Sequence, residues 1–406
     1  MVINERTMEL YQDSLDPESR KALDFSVGKI VEAKRRGGKV VVATGSGPNL
    51  HEGVSTLIAH LIHKGVVDGV TTSSAVVSHE MAGVLDRVKR IDASLIGPKL
   101  LDLSKMPRGN IFELTVLDKS RWEDIRKEMI IDEELVALCE AAKAPIIIKA
   151  AGNMAYPMGL RTENISETIL SIAHSCGEPF ELVAGWGCDE WTMLGAGARC
   201  QVPILVSIPQ LVGGGQVGIS IGDSISISER SSRIARMLAE ADVIVESAVV
   251  LTQEIHDGPF ETYTGHGLWS HWSGFNTYSL HDKTLIRFDL DENLRKAWEL
   301  DKKGGEIQTA IDQGLPKTKM SKIPFRMEMS AFSRLESSIP VIGDIGMIWP
   351  VLAYKVCKEL GIELDFISHP QQTPEGKAMR EFIVDTIKAL NMSLVKEKSR
   401  TYIRSK

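Results

Sequence analysis

Lys39-Val-Val-Val-Ala43 is a run of β-branched residues with no polar alternation, and it empties into Thr44-Gly45-Ser46-Gly47-Pro48-Asn49. A helix-like stretch from about Asn49 to Gly65 follows. A strand that is apolar at every position is buried on both faces, as in a parallel sheet with helices above and below it. The pattern repeats along the chain. Val67 to Val70 with the threonines after it, Pro145 to Lys149, Pro203 to Ser207, Val243 to Glu246, Thr284 to Phe288 and Pro340 to Ile342 are further strand candidates. Such strand–helix alternation predicts a doubly wound, mainly parallel α/β sheet with helices on both faces, the Rossmann-like class. The expected organisation is a single large α/β domain over residues 1–406, with an N-terminal helical segment at 1–36. Excursions at 150–200 and 250–283 are candidates for shaping a substrate site.

Bulk properties narrow the partners. A net charge of -7 argues against a general polyanion binder, so nucleic acid is not expected. No stretch reaches the roughly 18 apolar residues that a membrane helix needs, so no membrane partner is expected. The start, Met1 to Arg6, lacks the basic-then-apolar pattern of a secretion signal. Cys139, Cys176, Cys188, Cys200 and Cys357 form no C-x-x-C pair; reduced thiols and a cytoplasmic location fit this usage.

Where a parallel strand feeds a helix, backbone N–H groups and the positive end of a helix dipole collect, and a pyrophosphate fits there. Three glycine turns qualify. The first is Gly45-Ser46-Gly47, with Asn49 able to cap the next helix and Leu50 where a third glycine would stand. The second, Gly213 to Gly218, matches G-x-G-x-x-G, but its helix is expected only near Ser226, where Ser226 and Glu229 form a capping box. The third is Gly343-Asp344-Ile345-Gly346. The usual ribose-binding acid is absent: Asp68 starts the second strand, and Thr71-Thr72-Ser73-Ser74 end it.

The densest set of reactive side chains runs from Thr252 to His271. Glu254, His256, Asp257 and His266 could carry general acid/base chemistry, because histidine titrates near neutrality and a carboxylate can orient it. Their spacing matches no reliable zinc pattern, so no metal is expected. Lys149 ends an apolar strand, where desolvation could make it an imine-forming amine.

Two segments resemble known families. Gly45-Ser-Gly-Pro-Asn-Leu-His51-Glu-Gly53, then Asp68 through His79-Glu80, resembles the NAD-binding half of deoxyhypusine synthase and its relatives. Ala241-Asp242-Val-Ile-Val, with Thr252 to Gly258 and the tryptophans beyond, is similar to that family's later NAD and polyamine segment. The His79-Glu80 segment and the Gly343 to Gly346 turn also resemble the ornithine cyclodeaminase domain once labelled LOR/SDH-like. The resemblance implies NAD as cofactor, an amine or amino-acid substrate, and a homodimer or homotetramer. It implies cofactor contacts at Gly45, Ser46, Gly47, Asn49, His51, Thr72, Ser73, His79, Glu80, Gly343, Asp344 and Gly346. One departure concerns deoxyhypusine transfer: no lysine follows Trp269 to Asn276 until Lys283. The leading expectation is therefore redox-assisted imine chemistry of the ornithine-cyclodeaminase kind. A polyamine transferase and a non-catalytic nucleotide-binding or assembly protein are the alternatives.

Overall fold

In the computed structural model of the chain, the described residues are 3–45, 47–106, 109–151, 155–247 and 338–405. Between them, 271–272, 274–276, 278, 280, 282–289, 305, 309 and 312–315 are also described. Six strands, β1 (Val40–Thr44), β2 (Gly69–Thr72), β7 (Ile204–Val206), β8 (Val243–Ser247), β11 (Thr284–Asp289) and β12 (Ser338–Ile342), form one sheet, all parallel. Its order is β12-β11-β8-β1-β2-β7. Counted by their own succession along the chain, these six strands lie 3-2-1-4-5-6, the order of the dinucleotide-binding doubly wound fold.

Side-chain parity explains the two cores. Val40, Val42, Val70, Val243, Val245 and Ile286 point to one face, where Leu23, Val27 and Ile30 of helix Pro17–Arg35 and Ile348 and Val351 of helix Ile345–Leu360 cover them. Val41, Ala43, Ile244 and Leu285 point to the other, beneath Ile234, Ala235 and Leu238 of helix Ile227–Glu240. Ser226 caps that last helix by accepting from the Glu229 amide at 3.1 Å, as the capping-box pattern requires. Edge strand β7 is sealed rather than open. Val206 donates its amide to Glu181 at 2.8 Å and accepts from Arg230 at 3.3 Å, and Glu181 and Arg230 are a fully buried ion pair.

Between β2 and β7 the chain builds a second sheet, absent from the sequence expectation. It comprises β3 (Leu85–Asp92), β4 (Ile111–Thr115), β5 (Ile146–Ala150) and β6 (Ala155–Tyr156), in the order β5-β3-β4-β6. β3 runs antiparallel to both β4 and β5. The Pro145 to Lys149 strand thus exists, but it belongs to this inserted sheet and not to the parallel one. A two-residue ribbon, β9 (His271–Trp272) with β10 (Phe275–Asn276), completes the described strands.

The helix expected from Asn49 to Gly65 is two helices, Gly47–His51 and Val54–His63. Gly53 separates them at φ 71°, and a Cβ there would stand 2.4 Å from Met379 Sδ. After β2 the chain turns directly into helix Ser74–Met81, capped by Ser73. Among the described residues, no helix is long and apolar enough to cross a membrane, and all five cysteines are free thiols.

Candidate functional site

The strand order reverses between β1 and β8, so the crevice at their carboxyl ends is where ligands of open α/β sheets bind. Gly45 and Gly47 lie at the end of β1; Ser46 lies outside the described residues. A Cβ on Gly47 would meet nothing within 4 Å. The fold's own packing therefore leaves room at this turn, and the one backbone reason for glycine is Pro48 behind it, which disfavours a helical residue bearing a Cβ. Asn49 does not cap a helix as expected, because the helix already begins at Gly47. Its side chain instead accepts from Ser247 Oγ at the end of β8, 2.7 Å away, and Ser247 accepts from Trp349 Nε1 at 2.8 Å. All three residues are buried. This chain of bonds pins the two halves of the sheet together at the crevice.

The neighbouring strand ends carry hydroxyls without partners. Thr44 Oγ1, Thr72 Oγ1 and Ser207 Oγ, at the ends of β1, β2 and β7, are shielded from solvent and make no hydrogen bond. Ser73 is occupied differently, accepting from the Val76 amide at 3.2 Å.

Two half-buried histidines stand beside this edge. Burial lowers the His51 pKa, with Arg380 and then Lys149 adding to the effect. Burial, His51 and Lys149 together lower His79 to about 4. Both rings are accordingly neutral at physiological pH, and each Nδ1 is buried without a partner. Helix Gly47–His51 packs against β5, which brings Lys149 toward this group. Arg380 adds a second cation, held by its bond to the Ile148 carbonyl at 2.5 Å. Nothing in the sequence around Arg380 singled it out. Two neutral imidazoles beside Arg380 suit an anionic ligand, the Lys149 charge being paired with Glu113.

No protein-family model matches the chain, and no curated protein does. Solved structures give distant likenesses. AgrE in its ternary complex with ornithine and NAD+ is 13% identical with a TM-score of 0.37, over 88% of this chain and 34% of that one. A conserved putative LOR/SDH protein from Methanococcus maripaludis S2 is 11% identical with a TM-score of 0.39, over 86% and 70%. ArgZ, an arginine dihydrolase from the ornithine-ammonia cycle in cyanobacteria, is 11% identical with a TM-score of 0.37, over 87% and 32%. The chain spans about a third of the length of AgrE and ArgZ. At TM-scores below 0.5 the likeness assigns neither cofactor nor reaction to this chain.

Several expected site residues have other duties. Glu80 is buried, and its two oxygens accept from the amides of Met193 at 2.8 Å and Leu194 at 3.0 Å, so it caps helix Met193–Cys200. Both of its oxygens are thus engaged within the fold. Burial raises its pKa to about 7 against the pull of those two amides. Asp344 caps helix Ile345–Leu360 through the Gly346 amide at 2.9 Å. Gly343 and Gly346 are packing glycines: a Cβ at 343 would meet Leu15 at 2.5 Å, and one at 346 would meet Glu52 Oε2 at 2.6 Å.

The Gly213 to Gly218 turn is also structural. A separate helix, Gln216–Ser224, follows it directly, ahead of the helix that Ser226 caps, and Gly214 donates to Ser74 Oγ at 2.8 Å. A Cβ on Gly218 would fall 1.7 Å from the Leu211 carbonyl. Lys149 is not in apolar surroundings as an imine-forming amine would be; it forms an ion pair with Glu113 across the inserted sheet. Glu254, His256, Asp257 and His266 lie outside the described residues. Among the described residues, no group of three or more His, Cys, Asp or Glu side chains gathers as a metal site would require.

Proposed function

We propose that this chain binds NAD in the crevice between β1 and β8 and acts on an amine or amino acid. The observation that supports this most is the 3-2-1-4-5-6 parallel order with a spacious glycine turn at its reversal point. Gly45, Ser46 and Gly47 would lie along the pyrophosphate. The unpaired hydroxyls of Thr44 and Thr72 would face the ribose that an acid holds in other dinucleotide folds. Arg380 would face the anionic part of the ligand.

When bound, NAD supplies a hydride acceptor for a carbon bearing nitrogen. His79 and His51, both neutral, can accept hydrogen bonds from an amine at their ring nitrogens. Glu254, His256, Asp257 and His266 remain candidates for moving protons in this reaction. Cyclodeamination of an ornithine-like substrate is the most concrete form of the proposal. The ion pair with Glu113 holds Lys149 Nζ and so counts against aminoalkyl transfer through this lysine. Borohydride trapping with a diamine and NAD+, which oxidises the diamine carbon to the imine level, followed by peptide mapping tests that point: an adduct on Lys149 would restore the transferase.

Binding is tested by titrating NAD into the full chain and into Gly47→Ala, with Pro48→Ala as a control for backbone restraint. The proposal expects affinity to fall at least about tenfold in Gly47→Ala, because a Cβ at this turn keeps the backbone from the phosphates. No NAD binding by the unaltered chain refutes it. A homodimer or homotetramer belongs to the same reading, and light scattering of the purified chain measures it.

A further inference from the structure

Arg380, on helix Pro374–Thr386, is half-buried where that helix packs on β3 and β5 of the inserted sheet. Its Nη2 donates to the Ile148 carbonyl on β5 at 2.5 Å, which fixes the guanidinium against that sheet. Met379, next to it, packs on the segment that follows His51: a Cβ on Gly53 would stand 2.4 Å from Met379 Sδ. Among the described residues Arg380 forms no ion pair, and its Nη1 makes no bond and is not shielded from solvent. The acids that act on its charge are held elsewhere. Glu52 accepts from the amide and the side chain of Gln371, at 2.6 Å and 2.9 Å, and Glu381 pairs with Arg87. Burial lowers the pKa of Arg380, while Glu52 and Glu381 raise it. The other basic groups of this edge carry no spare charge: His51 and His79 are neutral, and Lys149 is paired with Glu113.

We propose that Arg380 holds the carboxylate of the substrate through Nη1, so that the site selects an amino acid over a polyamine. This role rests on NAD occupying the β1–β8 crevice beside it. Position separates this anion from the phosphates of the cofactor. The phosphates lie along Gly45 to Gly47 in that reading, whereas Arg380 acts on His51, at the far end of the helix Gly47–His51. That end is about 6 Å further along the helix axis, so a different anionic group meets Arg380. A guanidinium taken part of the way out of water without a counter-ion is unfavourable, and a carboxylate oxygen at Nη1 relieves that cost. Arginine cannot escape the cost by giving up its proton, as a lysine can. A polyamine offers no anion here, and its ammonium ends meet a fixed like charge.

Three pairs of probes differ by the carboxylate alone: L-ornithine and 1,4-diaminobutane, L-lysine and 1,5-diaminopentane, L-arginine and agmatine. Each is titrated into the full chain with and without saturating NAD, followed by heat and by melting temperature. At least one amino acid should bind at least about tenfold more tightly than its amine. In Arg380→Gln that preference should vanish while NAD affinity is unchanged, and the melting temperature of the unliganded variant shows independently that it folds. Arg380→Lys keeps the charge and should keep part of the preference. A chain that binds NAD but no amino acid, or binds amine and amino acid alike, overturns the assignment. So does a folded Arg380→Gln variant with its preference intact, or one whose NAD affinity falls at least about tenfold, which would place Arg380 on the cofactor. A chain that binds no NAD yet keeps the Arg380-dependent preference refutes the cofactor reading alone.

Discussion

Ser247 Oγ at the end of β8 donates to Asn49 Oδ1 beyond the end of β1, 2.7 Å away and 198 residues apart in sequence. This bond spans the reversal point of the sheet, and Trp349 Nε1 completes it from the covering helix. Ser247→Ala removes the acceptor for a buried indole N–H and the donor to Asn49. Loss of such a buried pair costs about 1–3 kcal/mol. A denaturant midpoint lowered by that amount, with weaker NAD binding, is the expected result.

Gly218→Ala separates packing glycines from a ligand-facing one. Its Cβ would overlap the Leu211 carbonyl at 1.7 Å and crowd Ser74 Oγ at 3.0 Å. Backbone cannot yield as a flexible side chain does, so a loss of at least about 2 kcal/mol is expected. Chemical denaturation measures it; an unchanged midpoint would mean that the turn is free to open.

Asp86→Asn is expected to stabilise the chain in a pH-dependent way. The folded Asp86 pKa is about 7 against an ordinary 3.8. The folded state then holds the proton more tightly, so this group's contribution to stability falls as pH rises from about 4 to 7. Glu80, also raised to about 7, has the same sign. His60 and His79, both lowered to about 4, have the opposite one: their contribution is complete above the ordinary 6.5 and is lost as pH falls toward 4. The difference between variant and parent isolates Asp86. Melting temperatures should coincide near pH 4 and diverge in favour of the variant by pH 8.

Glu80→Ala leaves the Met193 and Leu194 amides of helix Met193–Cys200 unpaired, while Thr192 still caps that helix through the Gly195 amide. A cost of about 2 kcal/mol in stability with unchanged NAD affinity is expected, since both carboxylate oxygens are engaged within the fold. A tenfold loss of NAD affinity in a variant of normal stability would return Glu80 to the cofactor site.

The six strands of the main sheet were readable because both of their faces are apolar, and Val40–Thr44 is buried at every position. The inserted sheet was hidden by its charge: Leu85-Asp-Arg-Val-Lys-Arg-Ile-Asp92 looks like a surface segment until one face is seen against Ile148 and Leu114. A signal did exist in Ile111-Phe-Glu-Leu-Thr115, whose period of two puts Phe112 and Leu114 on one side and Glu113 and Thr115 on the other. Lys149 was visible as the end of an apolar run, whereas its partner Glu113 is 36 residues away and set by strand register. Glycine turns were the least legible feature. Sequence treats Gly47, Gly218 and Gly346 alike, and only the atoms around each missing Cβ tell open space from collision.

The central claim is tested most directly by NAD titration against the full chain, with Gly47→Ala measured beside it at matched melting temperature. The account expects saturable binding to the parent and at least about tenfold weaker binding to the variant, as a Cβ between backbone and phosphate requires. Equal affinity of the two proteins, or no binding by the parent, would contradict it.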